Sequence, residues 1–319
     1  MTLILNQVGW QWALQVSDRL VSRITAGTPT PFDTASNKTI VLLTRTGIVC
    51  LSYCGLSYIN ARPTDSWLVE QIRQEPIEHH PGGRPVTARI GPQPRFPSLQ
   101  SALGRIQAGL TATLGSGRSR TQVGVIGAGW LMYRAKRPRP IAVAVVPGAN
   151  GYVVQWSQRI YGRRFLSLPI PPGYLSQQEA GHLASRLAPC GLEEAEAEMA
   201  STIAQVAARS PGVGADCMSV AISPPRAGNS HVRVRYLPSA PSAGVLHGGP
   251  APINVEVSYG PWFLGPDLYM APTIMTAGGR TELQLGAFHV VIEGPAGGEP
   301  GDDDPGIMLF HSQHRPRRP

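Results

Sequence analysis

Charge is scarce in this chain. Of its 319 residues only 15% are Asp, Glu, Lys or Arg, and only 7% are aromatic. Lysine is almost missing: Lys38 and Lys136 are the two present, so arginine carries nearly all of the positive side of a +8 balance. The four cysteines, Cys50, Cys54, Cys190 and Cys217, lack the spacing of a zinc site or a disulfide framework. Free thiols suit a reducing compartment, so a cytoplasmic protein is expected. No run approaches the roughly eighteen uninterrupted apolar residues of a membrane span, so no membrane partner is expected. The first residues also lack the basic flank and apolar stretch of a secretory signal.

What the chain does have is apolar residues (42%), glycine (36) and proline (31). The apolar fraction suffices for a sizeable core, and the length fits one large domain with an extension. The pI near 9.7 raises the question of nucleic acid. The dense basic clusters are Arg134 to Arg139 and Arg315 to Arg318, without interleaved stacking aromatics apart from Tyr133. Solvated loop and tail charge explains them, which argues against a nucleic-acid partner.

Alternation and short apolar runs predict strands over 2–8, 10–17, 39–44 and 48–54. A loop is expected over 27–32, and the prolines of 76–97 predict a long irregular insertion. Helical spacing predicts helices over 65–74, capped by Thr64, and over 99–114, capped by Ser98. Strands follow over 123–132, 141–146 and 152–155. Ser176 and Glu179 form a capping-box pattern opening a helix to about Leu187. An acid-started helix is predicted over 192–209, where the carboxylates suit the helix dipole, and a strand over 217–222. This order predicts an α+β chain, a four-layer αββα sandwich over 1–224. Residues 225–319 read as an irregular, Pro/Gly-rich β extension, with short strands over 232–236, 255–258, 283–285 and 288–292 and a mobile stretch over 294–305.

The start of the chain carries a chemical pattern. Met1 precedes a small residue, Thr2, and methionine is normally trimmed there. Thr2 then offers a hydroxyl and a free α-amine on one residue. An α-amine titrates at about 7.7–8.0, so near neutrality part of it is free to accept a proton. Lys38 heads an apolar strand in a chain that otherwise uses arginine. Lysine, unlike arginine, changes its pKa usefully when buried, and Asp18 is a carboxylate able to pair with it. Each of the three also has an ordinary structural explanation: a common start, a turn residue and a strand-end cation.

Residues 2–71 resemble the catalytic β-subunits of the proteasome and related bacterial N-terminal-nucleophile hydrolases. The resemblance rests on Thr2, on Asp18 sixteen residues later, on Lys38 a few residues late, on the strand 47–55 ending in Gly55, and on Pro63-Thr64-Asp65 opening a helix. It implies that Thr2 attacks a carbonyl, that Lys38 and Asp18 activate it, and that the Gly55 N–H stabilises the oxyanion. It implies a threonine-type peptidase or amidohydrolase acting on a peptide or other amide bond, with no cofactor and with a homo-oligomer as partner. Asp216-Cys217-Met218-Ser219 matches a supporting segment of that family, but Val220 stands where glycine is expected. Asp216 is therefore a supporting candidate that also reads as a turn residue. The extension after 224 departs from the family and sets the stacked ring in question.

Other patterns carry less. Val123 to Gly129 resembles a dinucleotide fingerprint but lacks its third glycine, helix and acidic partner. Glu78-His79-His80 lacks a second ligand cluster, and Asp302 to Asp304 lacks the remainder of a calcium loop. No metal is expected. Two alternatives to catalysis stay open: an inactive proteasome-like scaffold or binding module, and a basic protein contacting nucleic acid.

Overall fold

Among the described residues, short β-branched and aliphatic runs build two large sheets, and four helices cover them. The computed structural model describes residues 2–25, 28–34, 36–77, 79–80, 84–85, 88–90, 96–115, 122–132, 137–157, 164–167, 174–225, 230–237, 245–246, 253–254, 256–270, 273–276, 280–285, 287–293 and 308–310. The chain is mixed α+β and rich in sheet. Glu78, Lys136, the run Asp302 to Asp304 and the tail arginines lie outside the described residues, as do Arg134 and Ala135 and the whole of 294–305.

The strands that matter here are β1 (Ile4–Val8), β2 (Ala13–Asp18), β3 (Thr39–Thr44), β4 (Gly47–Gly55), β5 (Ala88–Ile90), β6 (Val123–Leu131), β7 (Arg139–Gly148), β8 (Gly151–Ser157) and β9 (Arg164–Ser167). They continue with β10 (Cys217–Ile222), β11 (Ser230–Leu237), β12 (Trp262–Gly265), β13 (Leu268–Met270), β14 (Arg280–Leu285) and β15 (Phe288–Glu293). The helices are α1 (Thr64–Arg73), α2 (Leu99–Leu114), α3 (Gln177–Leu187) and α4 (Leu192–Ala207). One sheet runs β9-β1-β2-β10-β11-β15-β14, and the other runs β5-β13-β12-β3-β4-β6-β7-β8. Most neighbours are antiparallel, but β11–β15 and β12–β3 are parallel. Strands from beyond residue 225 thus complete both sheets, and the boundary expected at 224/225 falls between the paired neighbours β10 and β11.

Three larger apolar clusters hold these parts together, with a small fourth of Ile4, Cys54, Ile126 and Ala144. Leu68 and Ile72 of α1 and Leu103, Ile106 and Leu110 of α2 pack on Ile40, Leu42, Val49, Leu51 and Val143. Val220, Val232, Val234 and Val290 of the seven-stranded sheet meet Val41, Cys50, Ala128 and Trp130 of the other. Leu5, Leu14 and Val16 pack against Leu183, Leu187, Met199 and Ile203 of α3 and α4. Each such fully buried side chain contributes about 1.5–3 kcal/mol. One polar seam interrupts the contact between the sheets. Gln15 donates to Asn6 at 2.8 Å, and its carbonyl oxygen accepts from Cys50 and Ser52. Thr39 is hydrogen-bonded in turn to Ser52.

Several local expectations shift. The second strand begins at Ala13, because Gly9 N donates to the Trp12 carbonyl and turns the chain, leaving Trp10 57% exposed. The loop expected over 27–32 is part of an antiparallel hairpin of Val21–Thr25 and Thr28–Asp33, in which the Thr-Pro alternation pairs as strand. Thr64 is not a cap: it is the first helical residue, Pro63 precedes it, and the Thr64 hydroxyl donates to the Leu56 carbonyl at 2.7 Å. Ser98 and Ser176 do cap their helices, and Glu179 completes its capping box. The glycine-rich run Val123–Leu131 is a wholly buried strand paired on both edges.

Candidate functional site

β1 and β2 form a hairpin whose open end carries the chain start. Ile4 pairs with Ser17, and beyond that pair the Asp18 N–H donates to the Leu3 carbonyl at 3.2 Å. The Asp18 side chain closes the same contact from the other side: Oδ1 accepts the Leu3 N–H at 2.9 Å. That amide is the peptide bond that follows Thr2. Thr2 itself is buried, with 4% of its surface exposed.

The second carboxylate oxygen of Asp18 accepts from Lys38 Nζ at 3.0 Å and from the Gly214 N–H at 3.1 Å. Lys38 Nζ also donates to the Leu20 carbonyl at 2.6 Å. Neither partner of the ion pair reaches solvent, with Lys38 2% and Asp18 0% exposed. Burial pulls the Lys38 pKa below its ordinary 10.5, and the Asp18 charge and hydrogen bond offset only part of that pull. The main-chain donors satisfy carboxylate lone pairs that lysine leaves free, as a buried charge requires.

Lys38 is held from behind. Asn37 Oδ1 accepts the Thr39 N–H at 2.9 Å, and Asn37 Nδ2 donates to Asp65 Oδ2 at 3.3 Å. Trp262 Nε1 donates to the same Asp65 oxygen at 3.2 Å. The buried Asp65 thus ties α1 and β12 to the turn that delivers Lys38. The Ser36 N–H donates to the Arg19 carbonyl, and the Arg19 N–H donates to the Asp216 carbonyl. The Asp216 main chain thus meets the residue that follows Asp18, and its side chain is half-buried.

Gly55 ends β4 at φ +102°, opposite Val123. A Cβ there would lie 1.9 Å from the Gln122 carbonyl oxygen, so only glycine fits. Its neighbour Cys54 packs with Ile4 of β1, which brings the end of β4 against the chain start. Burial pushes the Cys54 thiol up to about 12, Lys38 opposing and Asp18 adding to the shift. Burial, then Asp18 and Asp216, raises Cys217 as well. Both thiols beside the ion pair stay protonated and uncharged near neutrality, so neither supplies a thiolate.

The structure thus joins Asp18 directly to Lys38 and, through one amide, to Thr2. Nothing in the sequence marks Gly214 or the Leu20 carbonyl in advance. A Cβ on Gly214 would lie 2.6 Å from the Leu20 Cβ, so the missing side chain is what lets this loop reach Asp18. Among the described residues no group of three or more His, Cys, Asp or Glu side chains is placed to hold a metal. Among them, too, no helix is long and apolar enough to cross a membrane.

No family model matches the chain, and no curated protein matches it. Among solved structures the chain is similar to the helical assembly of the Anbu complex from Pseudomonas aeruginosa. Identity there is 12%, over 70% of this chain and 81% of that one, with a TM-score of 0.44. It is also similar to Anbu, the ancestral beta-subunit, from Yersinia bercovieri: 7% identity, 70% and 82% covered, TM-score 0.44. The family membership expected from residues 2–71 is corrected by these findings. No family model supports a proteasome β-subunit, and the neighbours found are Anbu proteins, related to that fold only loosely.

Proposed function

We propose that this chain is a threonine-type N-terminal-nucleophile hydrolase of a peptide or other amide bond, active once Met1 is removed. The observation that carries the reading is the bridging carboxylate of Asp18, which grips the amide after Thr2 and the Lys38 ammonium at once. A buried cation held next to the chain start favours the ionised form of a neighbouring hydroxyl. In this scheme the freed Thr2 amine takes the hydroxyl proton, Oγ1 attacks the carbonyl carbon, and the amine returns the proton to the leaving nitrogen. A water that gives its proton to the same amine then attacks the ester and releases the acid, and the proton returns to Oγ1. The Gly55 N–H is assigned to the oxyanion, an interaction typically worth about 2.7–4 kcal/mol. The three apolar clusters, read together, support a four-layer αββα sandwich with the chain start between its sheets.

The test is direct. Intact mass should show the chain without Met1, and an electrophilic threonine-directed probe should add once, at residue 2. Thr2→Ala should fold as judged by circular dichroism, lose the label, and lose at least about a thousandfold in amide turnover. Turnover should rise through pH 7–8 as the α-amine loses its proton. Retained Met1, or labelling that survives Thr2→Ala, would defeat the reading.

A further inference from the structure

The outer face of the seven-stranded sheet carries a feature that the hydrolytic reading does not use. β11 and β15 pair in parallel with His231 directly opposite His289. Each lies between residues that point inward: Ser230 and Val232 flank one, Phe288 and Val290 the other, and all four are buried. Both imidazoles therefore stand on the same outward face. Their Nδ1 atoms are 3.0 Å apart, and the rings meet edge to face with centroids 4.8 Å apart. The other nitrogen of His289, Nε2, lies 3.5 Å from Glu282 Oε2 on β14.

We propose that His231 and His289 form a two-nitrogen site for a first-row divalent transition metal, with Glu282 orienting His289 from behind. Two imidazole nitrogens this close are served either by one shared hydrogen or by one cation. With metal–nitrogen bonds of about 2.0–2.1 Å, a 3.0 Å separation corresponds to an angle of roughly 91–97° at the metal. That is the angle between adjacent ligands of tetragonal Ni²⁺ or Cu²⁺. Glu282 lies 3.5 Å from the His289 nitrogen that would not be on the metal, on the side where a carboxylate orients a metal-bound histidine. Nearby cationic charge is already neutralised: Arg233 pairs with Glu196 at 2.6 Å and Arg235 with Glu293 at 3.0 Å. With no third protein ligand among the described residues, water completes the coordination. A metal here would clamp β15, which joins this sheet by a parallel pairing, onto β11.

The experiment uses the full chain, stripped with a chelator and titrated with Ni²⁺ by calorimetry at one fixed neutral pH, because protons compete with metal for its ligands. Wild type should bind one Ni²⁺ that His231→Ala and His289→Ala each abolish or weaken at least tenfold. Glu282→Gln should keep the stoichiometry and weaken binding by roughly tenfold, the lower end for loss of a supporting carboxylate. One equivalent of Cu²⁺ should show coupling to two imidazole nitrogens in wild type and to fewer in His231→Ala. His231 is exposed, so its alanine variant decides the matter even if His289→Ala fails to fold. Absence of Ni²⁺ binding to wild type, or unchanged binding in His231→Ala, overturns the proposal. Unchanged binding would place the metal on histidines outside this pair, such as His311 or His314.

Discussion

Of the three carboxylates buried among the described residues, Asp18, Asp65 and Glu196, the first and the last are satisfied in opposite ways. Asp18 accepts two main-chain N–H groups and one ammonium. Glu196, on the face of α4 that meets the sheet, accepts the Ser219 hydroxyl and the guanidinium groups of Arg233 and Arg235. Main-chain donors are fixed by the hairpin and loop that carry them, so Asp18 sets the position of the chain start and of Lys38 together. Arginine forks reach Glu196 from side chains that keep 20% and 28% of their surface in solvent. Their charge is only partly desolvated, and each has a second carboxylate, Glu193 or Glu293. The same burial cost is met by backbone geometry at one site and by adaptable side chains at the other. The first arrangement suits a reactive centre, and the second fastens a helix to a sheet.

The sharpest way to break that contrast is Asp18→Ala. It leaves the Lys38 ammonium buried against the Leu20 carbonyl and strips acceptors from Leu3 and Gly214. Removing one member of a buried pair costs about 3–5 kcal/mol. Deprotonation of Lys38 caps the loss, because burial already pulls its pKa down. Urea unfolding with an unchanged slope should show the drop. A loss below about 1 kcal/mol would mean that the pair is not buried as the structure has it.

Glu196→Gln should cost less, about 1–3 kcal/mol. The amide keeps an acceptor for Ser219, while Arg233 and Arg235 retain Glu193 and Glu293 and can turn toward water. A larger loss here than at Asp18, measured by the same unfolding curves, would reverse the comparison.

How much of this is legible in the sequence depends on the range of each contact. Lys38 stands out because the chain otherwise uses arginine, and Asp18 because it closes the second strand. Gly55 is marked by ending an apolar strand. Their contact with the chain start follows once β1 and β2 form a hairpin, which alternation signals locally. Gly214 and the Leu20 carbonyl carry no such mark, since main-chain donors and acceptors look the same in every sequence. Glu196 reads only as part of an acidic helix start. Its partners lie on strands 23 and more residues away, and pairing at that distance leaves no local period. The same holds for His231 and His289, which share a face only through the parallel register of β11 and β15. The Thr64 cap fails for a related reason. The pattern of a capping residue before an acid is local, whereas the hydroxyl is claimed by the Leu56 carbonyl eight residues back.

The finest distinction between the two sites is their response to alkali. In the unfolded chain Lys38 keeps its proton up to about 10.4. In the folded chain burial releases it at lower pH. Between those two points the unfolded state binds more protons, so stability rises with pH. The destabilising contribution of Lys38 is complete below its folded pKa and fades as pH climbs toward 10.5. Lys38→Met removes this term. The difference in unfolding free energy, wild type minus Lys38→Met, should therefore increase between pH 8 and pH 10, by no more than about 1.4 kcal/mol per pH unit. Wild type minus Glu196→Gln should stay flat over the same range, because arginine holds its proton throughout. A flat or falling Lys38 difference would place that amine in water and dissolve the distinction between these two buried carboxylates.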